Sequence, residues 1–323
     1  TVLQNAGYYP GAVGKWHMGV ERPYHPNQRG FDDFYGFLGG GHMYFPEKYA
    51  PIYDRQTRSG KQHINEYVVP LQHNGEQVSE TEYMTDALSR EAARFVTEAA
   101  GRILYLAYNA PHTPLEAKKE DLAHYTNIKD KKRRTYAAMV HAVDRGVGRL
   151  REALQQTDEL DNTLIVFLSD NGGKTSSGAV NRPLNNGKGS VMEGGFRVPM
   201  FFHWPGKLAP RSRFDYPVSA IDFYPTFASL AGTAAPESQQ LDGLNIWPSF
   251  VSGDDPRDGQ MIFALRHGAG VSDVGARRNQ WKVCRVGNGP WKLFNLAEDI
   301  SETRDLCSQH PQLAKDMVKE VEK

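Results

Sequence analysis

The sequence predicts a layered α/β domain followed by a small antiparallel α+β subdomain. Three short apolar runs that end in turn residues, at 103–108, 163–168 and 198–202, predict buried strands of a mostly parallel sheet. Apolar residues repeat at helical spacing over residues 85–99 and 136–154, between those runs. Alternation of strands with helices is typical of a layered α/β sheet.

The pattern changes after the Gly-Asp-Asp-Pro sequence at 253–256. Strand-like pieces follow at 261–265, 280–286 and 291–296, joined by Asn, Gly and Pro turns, and a last helix begins near residue 311. We therefore expect a large α/β domain at residues 1–255. A small antiparallel-sheet subdomain with a terminal helix is expected at residues 256–323.

Composition excludes several classes of protein. The 323 residues include 38 Lys and Arg against 38 Asp and Glu, so no overall positive charge is available to hold a nucleic acid. No run approaches the roughly 20 apolar residues of a membrane-spanning helix. The only cysteines, Cys284 and Cys307, rule out a disulfide framework and a Cys-based zinc site, and leave room for one disulfide.

Two further stretches stand out. Residues 1–7 are typical of the last turn of a helix that ends at a Gly cap, with no initiator Met and no signal peptide. We therefore expect a segment to precede Thr1. Residues 22–77 are rich in Gly, Pro, Tyr and His without sustained periodicity, which predicts a long loop region that forms part of a substrate pocket.

Polar segments follow two of the predicted strands. Residues 109–112 (Asn-Ala-Pro-His) and 169–173 (Ser-Asp-Asn-Gly-Gly) stand where open α/β sheets place their ligands, at the carboxyl ends of strands. Asp170 and Asn171 offer hard oxygen donors that suit Ca²⁺ or Mg²⁺. In isolation the segment is as typical of a plain turn, and Ca²⁺ takes six to eight oxygen ligands.

Two lysine-bearing segments are candidates for anion binding. In GKWHMG, Lys15 and His17 are two residues apart, which in extended backbone directs both side chains to one face. In NNGKGSVMEGGFRVP, Lys188 lies between glycines that allow backbone to approach a ligand closely. The spacing is not that of a phosphate-binding P-loop. Each segment, taken alone, is equally compatible with surface residues.

Taken together and in this order, the segments closely resemble the type I sulfatases of the alkaline-phosphatase-like superfamily. The matching segments are GKWHMG, APHTP with His112, SDNGG with Asp170 and Asn171, and the segment that contains Lys188. Further matches are RGFDDFYGFLGG, SAIDFYPTFASLAG and LDGLNIWPSF, so that the resemblance covers essentially the whole chain. The resemblance implies an alkaline-phosphatase-like α/β/α sheet and a sulfuric ester hydrolase, similar to N-acetylgalactosamine-sulfatases and bacterial polysaccharide sulfatases.

The resemblance also implies a role for each matching residue. Lys15 and Lys188, with a divalent cation, are expected to hold the sulfate oxygens. His112 is expected near the leaving oxygen as general acid. His17 is expected beside the nucleophile, where it would help to break down the covalent sulfate intermediate. Asp170 and Asn171 are expected as half of a Ca²⁺ site, with Mg²⁺ as the alternative ion.

One family motif is missing from residues 1–323. Sulfatases convert the first residue of a Cys-or-Ser-x-Pro-x-Arg motif to formylglycine, and no such motif occurs here. Neither cysteine is followed by proline at the required position. The resemblance further implies that the paired aspartates that complete the family's metal site, normally near the beginning of the chain, are missing too. We therefore expect the formylglycine in a missing N-terminal segment, without which the chain would be inactive.

The substrate is open at this stage. His42, Tyr44 and Arg55 are expected to contact sugar hydroxyls or a neighbouring sulfate, and loop packing is the competing role for each. The resemblance implies a sulfated glycan as partner and an exported location, whether periplasmic, secreted or lysosome-like. Alternatives are a phosphate or phosphonate monoester hydrolase of the same superfamily and a non-catalytic protein that binds sulfated glycans.

Overall fold

A computed structural model describes residues 1–98, 101–268 and 270–323. The chain divides into two compact units, Thr1–Asn162 and Thr163–Lys323. The predicted domain boundary at residues 255 and 256 falls inside the second unit and stays a prediction. No helix in the described ranges has the length and apolar character needed to cross a membrane.

The first unit is built on a mixed five-stranded sheet. Its strands are β1 (Tyr9–Lys15), β2 (Asp33–Phe37), β3 (Gln72–His73), β4 (Glu76–Gln77) and β5 (Arg102–Ala107). Their order in the sheet is β4-β3-β2-β1-β5. β1 runs parallel to both of its neighbours, whereas β3 and β4 are antiparallel additions at the edge beyond β2. β5 confirms the strand predicted at residues 103–108.

Five α-helices belong to the same unit. They are α1 (Val2–Asn5), α2 (Pro46–Arg58), α3 (Met84–Glu98), α4 (Lys119–Ala123) and α5 (Lys131–Gln156). α1 ends before Gly7, whose φ is 87°, as predicted. α3 and α5 confirm the two predicted helices, although the predicted end at Ala99 lies outside the described residues. α5 begins earlier than its apolar pattern because Asp130 caps it, accepting a hydrogen bond from the Arg133 amide at 2.7 Å.

The prediction of a long loop over residues 22–77 was wrong in part. This stretch contains the fully buried strand β2 and the 13-residue helix α2, besides the 3-10 helices Arg22–Tyr24, Pro26–Gln28 and Glu66–Val68. Pro46 occupies the first turn of α2, where its missing amide hydrogen costs nothing. The many prolines and glycines in this stretch therefore led to a loop prediction although it contains regular structure.

The main core lies between one face of this sheet and the helices. Val13 of β1 packs with Leu88 of α3 and Met139 of α5, and Leu104 and Leu106 of β5 join the same cluster. The opposite face of the sheet carries a smaller cluster of Ala12, Trp16 and Phe34. Side chains that alternate between the two clusters along β1 follow the two-residue period of a strand.

Two predicted strands of the second unit are oriented differently from expectation. β6 (Ile165–Leu168) and β7 (Met200–His203) pair antiparallel to each other, not in a parallel arrangement, and are only partly buried. Parallel strands need a crossover connection of a dozen or more residues, which is usually an α-helix. Here the connection contains only the 3-10 helix Thr175–Ser177 and the four-residue helix α6 (Glu193–Phe196). The helices α7 (Phe223–Leu230) and α8 (Trp247–Ser252) follow.

The predicted C-terminal antiparallel sheet is confirmed. Its strands are β8 (Ile262–Gly268), β9 (Val271–Arg278), β10 (Trp281–Arg285) and β11 (Lys292–Asn295), in the order β11-β10-β9-β8. The predicted terminal helix is α9 (Pro311–Val321), which packs its Ala314 and Met317 on the sheet. The sequence did not predict β9, because Asp273, Gly275 and two arginines interrupt its apolar pattern.

Candidate functional site

The carboxyl ends of three parallel strands bring several predicted residues of the first unit to one edge of the sheet. β1 ends at Lys15, which pairs with Phe37 at the end of β2. On the other side of β1, Gly14 pairs with Ala107 at the end of β5. The loop that carries His112 therefore begins at the edge where Lys15 lies half-buried. Such an edge is where open α/β sheets bind ligands.

His17 does not reach this edge in the way the sequence predicted. The extended strand ends at Lys15, and His17 has a left-handed backbone with φ of 56°. The period-two argument that directs both side chains to one face therefore does not apply. Instead, the His17 amide donates to the Leu38 carbonyl at 3.0 Å, and its ring lies against Gly40. A Cβ added at Gly40 would lie 2.6 Å from His17 Nε2, so a larger residue there would have to displace the exposed His17 ring.

His112 lies in a tight turn directly after β5. Its amide donates to the Asn109 carbonyl at 2.7 Å, and its ring Nδ1 lies 2.9 Å from the Thr113 carbonyl oxygen. Because a carbonyl only accepts hydrogen bonds, Nδ1 carries the hydrogen. Nε2 is then the ring nitrogen through which a general acid at this position would have to act.

The structure contradicts the predicted contacts of His42 and Tyr44 with substrate, because both side chains are completely buried. The ring nitrogens of His42 lie 2.7 Å and 2.8 Å from the carbonyl oxygens of Met43 and Val69. Burial lowers the pKa of His42, although these two carbonyls oppose the shift. Both residues are packing elements whose polar atoms are used inside the protein.

Arg55, the third predicted substrate contact, lies exposed on α2. It lines a shallow surface hollow with Pro51, Asp54 and Arg58. The arrangement leaves its guanidinium accessible, so a role in binding a sulfated sugar stays a prediction.

Sequence reasoning missed Tyr67, which lies beside His112. Its ring centroid is 6.5 Å from that of His112, and its ring packs against Gly41. Burial, and then the neighbouring Glu66 carboxylate, raise the pKa of Tyr67, so it is a neutral phenol near pH 7. A partly buried aromatic ring at this place is suited to pack against a sugar ring. Its only sequence signal was a position within a Tyr-rich loop.

In the second unit, the segment with Asp170 and Asn171 is joined closely to the segment with Lys188. The Lys188 amide donates to the Gly173 carbonyl at 3.3 Å, and the Gly172 amide donates to the Gly195 carbonyl at 2.8 Å. A Cβ added at Gly172 would lie 1.7 Å from the Gly194 oxygen, so a larger residue would force the two segments apart. Asp170 and Lys188 are both exposed on this joined structure.

Asn181, another residue that the sequence analysis missed, ties the two segments together. Its Oδ1 accepts from the Gly173 amide at 2.9 Å. Its Nδ2 donates to the carbonyls of Gly173 and Asn186 at 2.8 Å and 3.0 Å. One side-chain amide thereby fixes the predicted metal ligands relative to the predicted anion-binding lysine. An asparagine in a loop gives no specific signal of this role in the sequence.

The environment of the Asn171 side-chain oxygen is compatible with a bound cation. Asn171 Oδ1 is buried and, among the described residues, has no hydrogen-bond partner. Leaving a buried polar atom unsatisfied costs about 1–3 kcal/mol, which coordination of a metal ion would offset. No group of three or more His, Cys, Asp or Glu side chains within residues 1–98, 101–268 and 270–323 is placed to hold a metal. Among the described residues no complete metal site is present, and Asn171 Oδ1 stays a candidate ligand.

The segment with Lys188 is anchored by buried charges. Glu193, at the start of α6, accepts from Lys282 Nζ at 3.0 Å, and Glu302 accepts from the same nitrogen at 2.6 Å. Glu302 Oε2 also accepts from the Glu193 amide at 2.8 Å. All three side chains are fully buried. The C-terminal sheet thus holds the end of the loop that bears Lys188.

The two cysteines do not form the disulfide for which the sequence left room. Both are free thiols, Cys284 buried and Cys307 partly buried. Burial raises the pKa of each thiol to about 11. Because both are protonated near pH 7, neither is suited to act as a nucleophile.

Known proteins resemble this chain over most of its length. The Sulfatase family matches residues 1–233, and the family described as N-sulphoglucosamine sulphohydrolase, C-terminal, matches residues 187–323. The crystal structure of Ps i-CgsB in complex with k-i-k-neocarrahexaose is 56% identical, with a TM-score of 0.97. That match covers 99% of this chain and 72% of the other.

Two curated relatives are more distant. The uncharacterized sulfatase YdeN of Escherichia coli K12 is 34% identical over 93% of this chain, and human N-acetylgalactosamine-6-sulfatase is 30% identical over 88%. The chain spans little more than half the length of these relatives, 56% and 55% respectively. The structural matches confirm the alkaline-phosphatase-like fold that the motifs implied. On these matches, the chain belongs to the sulfatase family.

Proposed function

We propose that the protein containing this chain hydrolyses sulfate esters of a carrageenan-type glycan. The observation that carries the proposal is the 56% identity, over 99% of the chain, to a protein crystallised with a neocarrahexaose. Carrageenans are sulfated galactans, so a sulfatase of this similarity is expected to act on that class of substrate. The proposal keeps the exported location implied by the family.

The residues of the first unit have distinct proposed tasks. Lys15 holds a sulfate oxygen through its ammonium group. His112 donates the proton from Nε2 to the departing sugar oxygen, since Nδ1 is committed to the Thr113 carbonyl. His17, whose ring lies against Gly40, acts beside the nucleophile. Tyr67 packs against the sugar ring next to His112.

In the second unit, we propose that Lys188 binds sulfate and that Asp170 and Asn171 bind Ca²⁺. The cation would supply Lewis-acid stabilisation of the sulfate group. The buried, unpartnered Oδ1 of Asn171 supports its role as a ligand. Asn181 and the buried Glu193 keep the ligands and the lysine in a fixed relation.

The nucleophile is the part that residues 1–323 do not contain. They include no Cys-or-Ser-x-Pro-x-Arg motif, and the two thiols are unsuited to replace it. We propose that activity depends on a formylglycine carried by a further segment of the protein, which also supplies the remaining metal ligands. Residues 1–323 by themselves would then lack turnover.

The test compares ester classes in the full-length protein. An aryl sulfate should be hydrolysed with a higher kcat/KM than the matching aryl phosphate and phosphonate. A strong preference for phosphate or phosphonate would instead favour the hydrolase alternative of the same superfamily. Binding of a carrageenan oligosaccharide without any ester hydrolysis would favour the non-catalytic alternative, and a substituted nucleophile position in the full-length sequence would support that outcome.

A further inference from the structure

Tyr44 is anchored on all sides inside the first unit. Its side chain has no exposed surface, its amide donates to Glu116 Oε2 at 2.9 Å, and its ring stacks on Tyr83 with centroids 5.7 Å apart. Its hydroxyl donates to the carbonyl oxygen of His112 at 2.9 Å. A buried hydroxyl is expensive to leave unsatisfied, so this one hydrogen bond is strongly held.

The bond acts on the backbone from which the His112 ring extends. The His112 amide is held by the Asn109 carbonyl, and Nδ1 is held by the Thr113 carbonyl. With Tyr44 on its carbonyl, both ends of the His112 backbone and one ring nitrogen are fixed. The ring itself is only partly buried, so these anchors help to set its direction.

We propose that Tyr44 is a positioning residue that holds His112 in the orientation needed to protonate the leaving group. This inference rests on the proposed function, in which His112 is the general acid. Proton transfer requires heavy atoms within hydrogen-bond reach, and a displacement of about 1 Å at a reacting group costs up to about 100-fold in rate. Loss of the Tyr44 hydroxyl should therefore impair the acid step selectively.

The experiment is a leaving-group series in the full-length enzyme. The substrates are aryl sulfates whose phenols range from acidic to weakly acidic, because only poor leaving groups need a proton. Tyr44→Phe should lower kcat/KM about 10- to 100-fold for the weakly acidic phenols and less than about 2-fold for the most acidic. The dependence of rate on leaving-group pKa should become steeper, towards that of His112→Ala.

Tyr83→Phe is the matched control. Tyr83 is a neighbouring buried tyrosine, stacked on Tyr44, whose hydroxyl donates to the Glu116 carbonyl at 2.8 Å and not to His112. Tyr83→Phe should change kcat/KM by the same factor for all substrates. The slope of rate against leaving-group pKa should therefore stay that of the wild type. An equal loss across the series in Tyr44→Phe, as for a purely structural change, would overturn the inference.

A second variant keeps the test decisive if Tyr44→Phe does not fold. Glu116→Ala removes the acceptor of the Tyr44 amide. It should also make the dependence of rate on leaving-group pKa steeper, by a smaller factor than Tyr44→Phe. An unchanged dependence would overturn the inference. Failure of the proposed function has a different signature. In that case the wild type releases no sulfate, or His112→Ala itself leaves the slope unchanged.

Discussion

Lys282 Nζ lies 2.6 Å from Glu302 Oε1, and neither side chain is exposed to solvent. Glu193 accepts from the same ammonium group at 3.0 Å. Burial raises the pKa of Glu302, and the Lys282 ammonium group opposes that shift. The cluster joins β10 to the residues that follow Lys188, so its integrity matters to both stability and function.

Replacement of Lys282 by Met should strongly destabilise the second unit. Removing one member of a buried ion pair leaves an uncompensated charge, which costs about 3–5 kcal/mol. The measurement is the free energy of unfolding in urea. Lys292→Met is the control, because Lys292 is exposed on the adjacent strand β11 and should change stability by no more than about 0.5 kcal/mol. Equal stability of the two variants would contradict the assigned role of Lys282.

The loops of the candidate site could be predicted because local patterns specify them. An apolar run followed by Asn-Ala-Pro-His or by Ser-Asp-Asn-Gly-Gly predicts a strand and the loop after it, and β5 and β6 end where those loops begin. The strands β1 and β2 escaped prediction because Gly11, Gly14 and Gly36 interrupt their apolar residues. Their identity depends on pairing with distant segments.

Other features depend on tertiary contacts that no local pattern encodes. His42 and Tyr44 are polar residues in a Gly-rich stretch, which predicts exposure, yet their partners are distant along the chain and bury them. The antiparallel pairing of β6 and β7 is likewise a property of two segments together. The same holds for Asn181, whose hydrogen bonds only the folded loops reveal.

On the proposed assignment of Asn171 as a metal ligand, its substitution by Leu should abolish thermal stabilisation by Ca²⁺. Because Asn171 Oδ1 is buried without a partner, the variant should be no less stable than the wild type in the presence of a chelator. In excess Ca²⁺ the wild type should gain stability by mass action, about 2.7 kcal/mol at 100 times the Kd. A Tm rise in the variant equal to that of the wild type would remove Asn171 from the metal ligands.

Lys188→Ala should lower kcat/KM for sulfate esters by about 100-fold or more, since its ammonium group is proposed to stabilise the sulfate oxygens. The fold should be intact, because Lys188 is exposed and its backbone contacts do not need the side chain. Steady-state kinetics are the measurement. Lys174→Ala, at another exposed lysine of the same unit, is the control and should have near wild-type kinetics. Unchanged turnover in Lys188→Ala would exclude a catalytic role.

Acid should destabilise the first unit through Glu80. Burial raises the pKa of Glu80, but hydrogen bonds from Arg90 and Tyr35 outweigh it and lower the pKa to about 2. A carboxyl group with a depressed pKa stabilises the fold fully at pH values above its ordinary pKa of 4.5. That stabilisation, about 3 kcal/mol, is lost as pH falls to about 2. Urea unfolding at a series of pH values should therefore show a flatter acid dependence in Glu80→Gln.

Glu82→Gln controls for this measurement. Glu82 binds the same Arg90 at 2.7 Å but is 43% exposed, so the variant should keep the acid dependence of the wild type. If Glu80→Gln lost stability in acid as steeply as the wild type, another carboxyl group would have to be responsible.

Neither thiol should be needed for turnover. Cys284 and Cys307 are protonated near pH 7 because burial raises their pKa values to about 11. The double replacement by Ala should therefore keep kcat within about 2-fold of the wild type. Loss of kcat in a variant whose Tm is unchanged would mean that one thiol takes part in the reaction.

Release of inorganic sulfate from a carrageenan oligosaccharide tests the central claim most directly. The full-length protein should liberate sulfate in a time-dependent reaction, measured by ion chromatography, and His112→Ala should reduce the rate by about 100-fold or more. The account would be contradicted if the folded, formylglycine-containing protein with Ca²⁺ released no sulfate from any sulfate ester, or if it released phosphate from matching phosphate esters far faster.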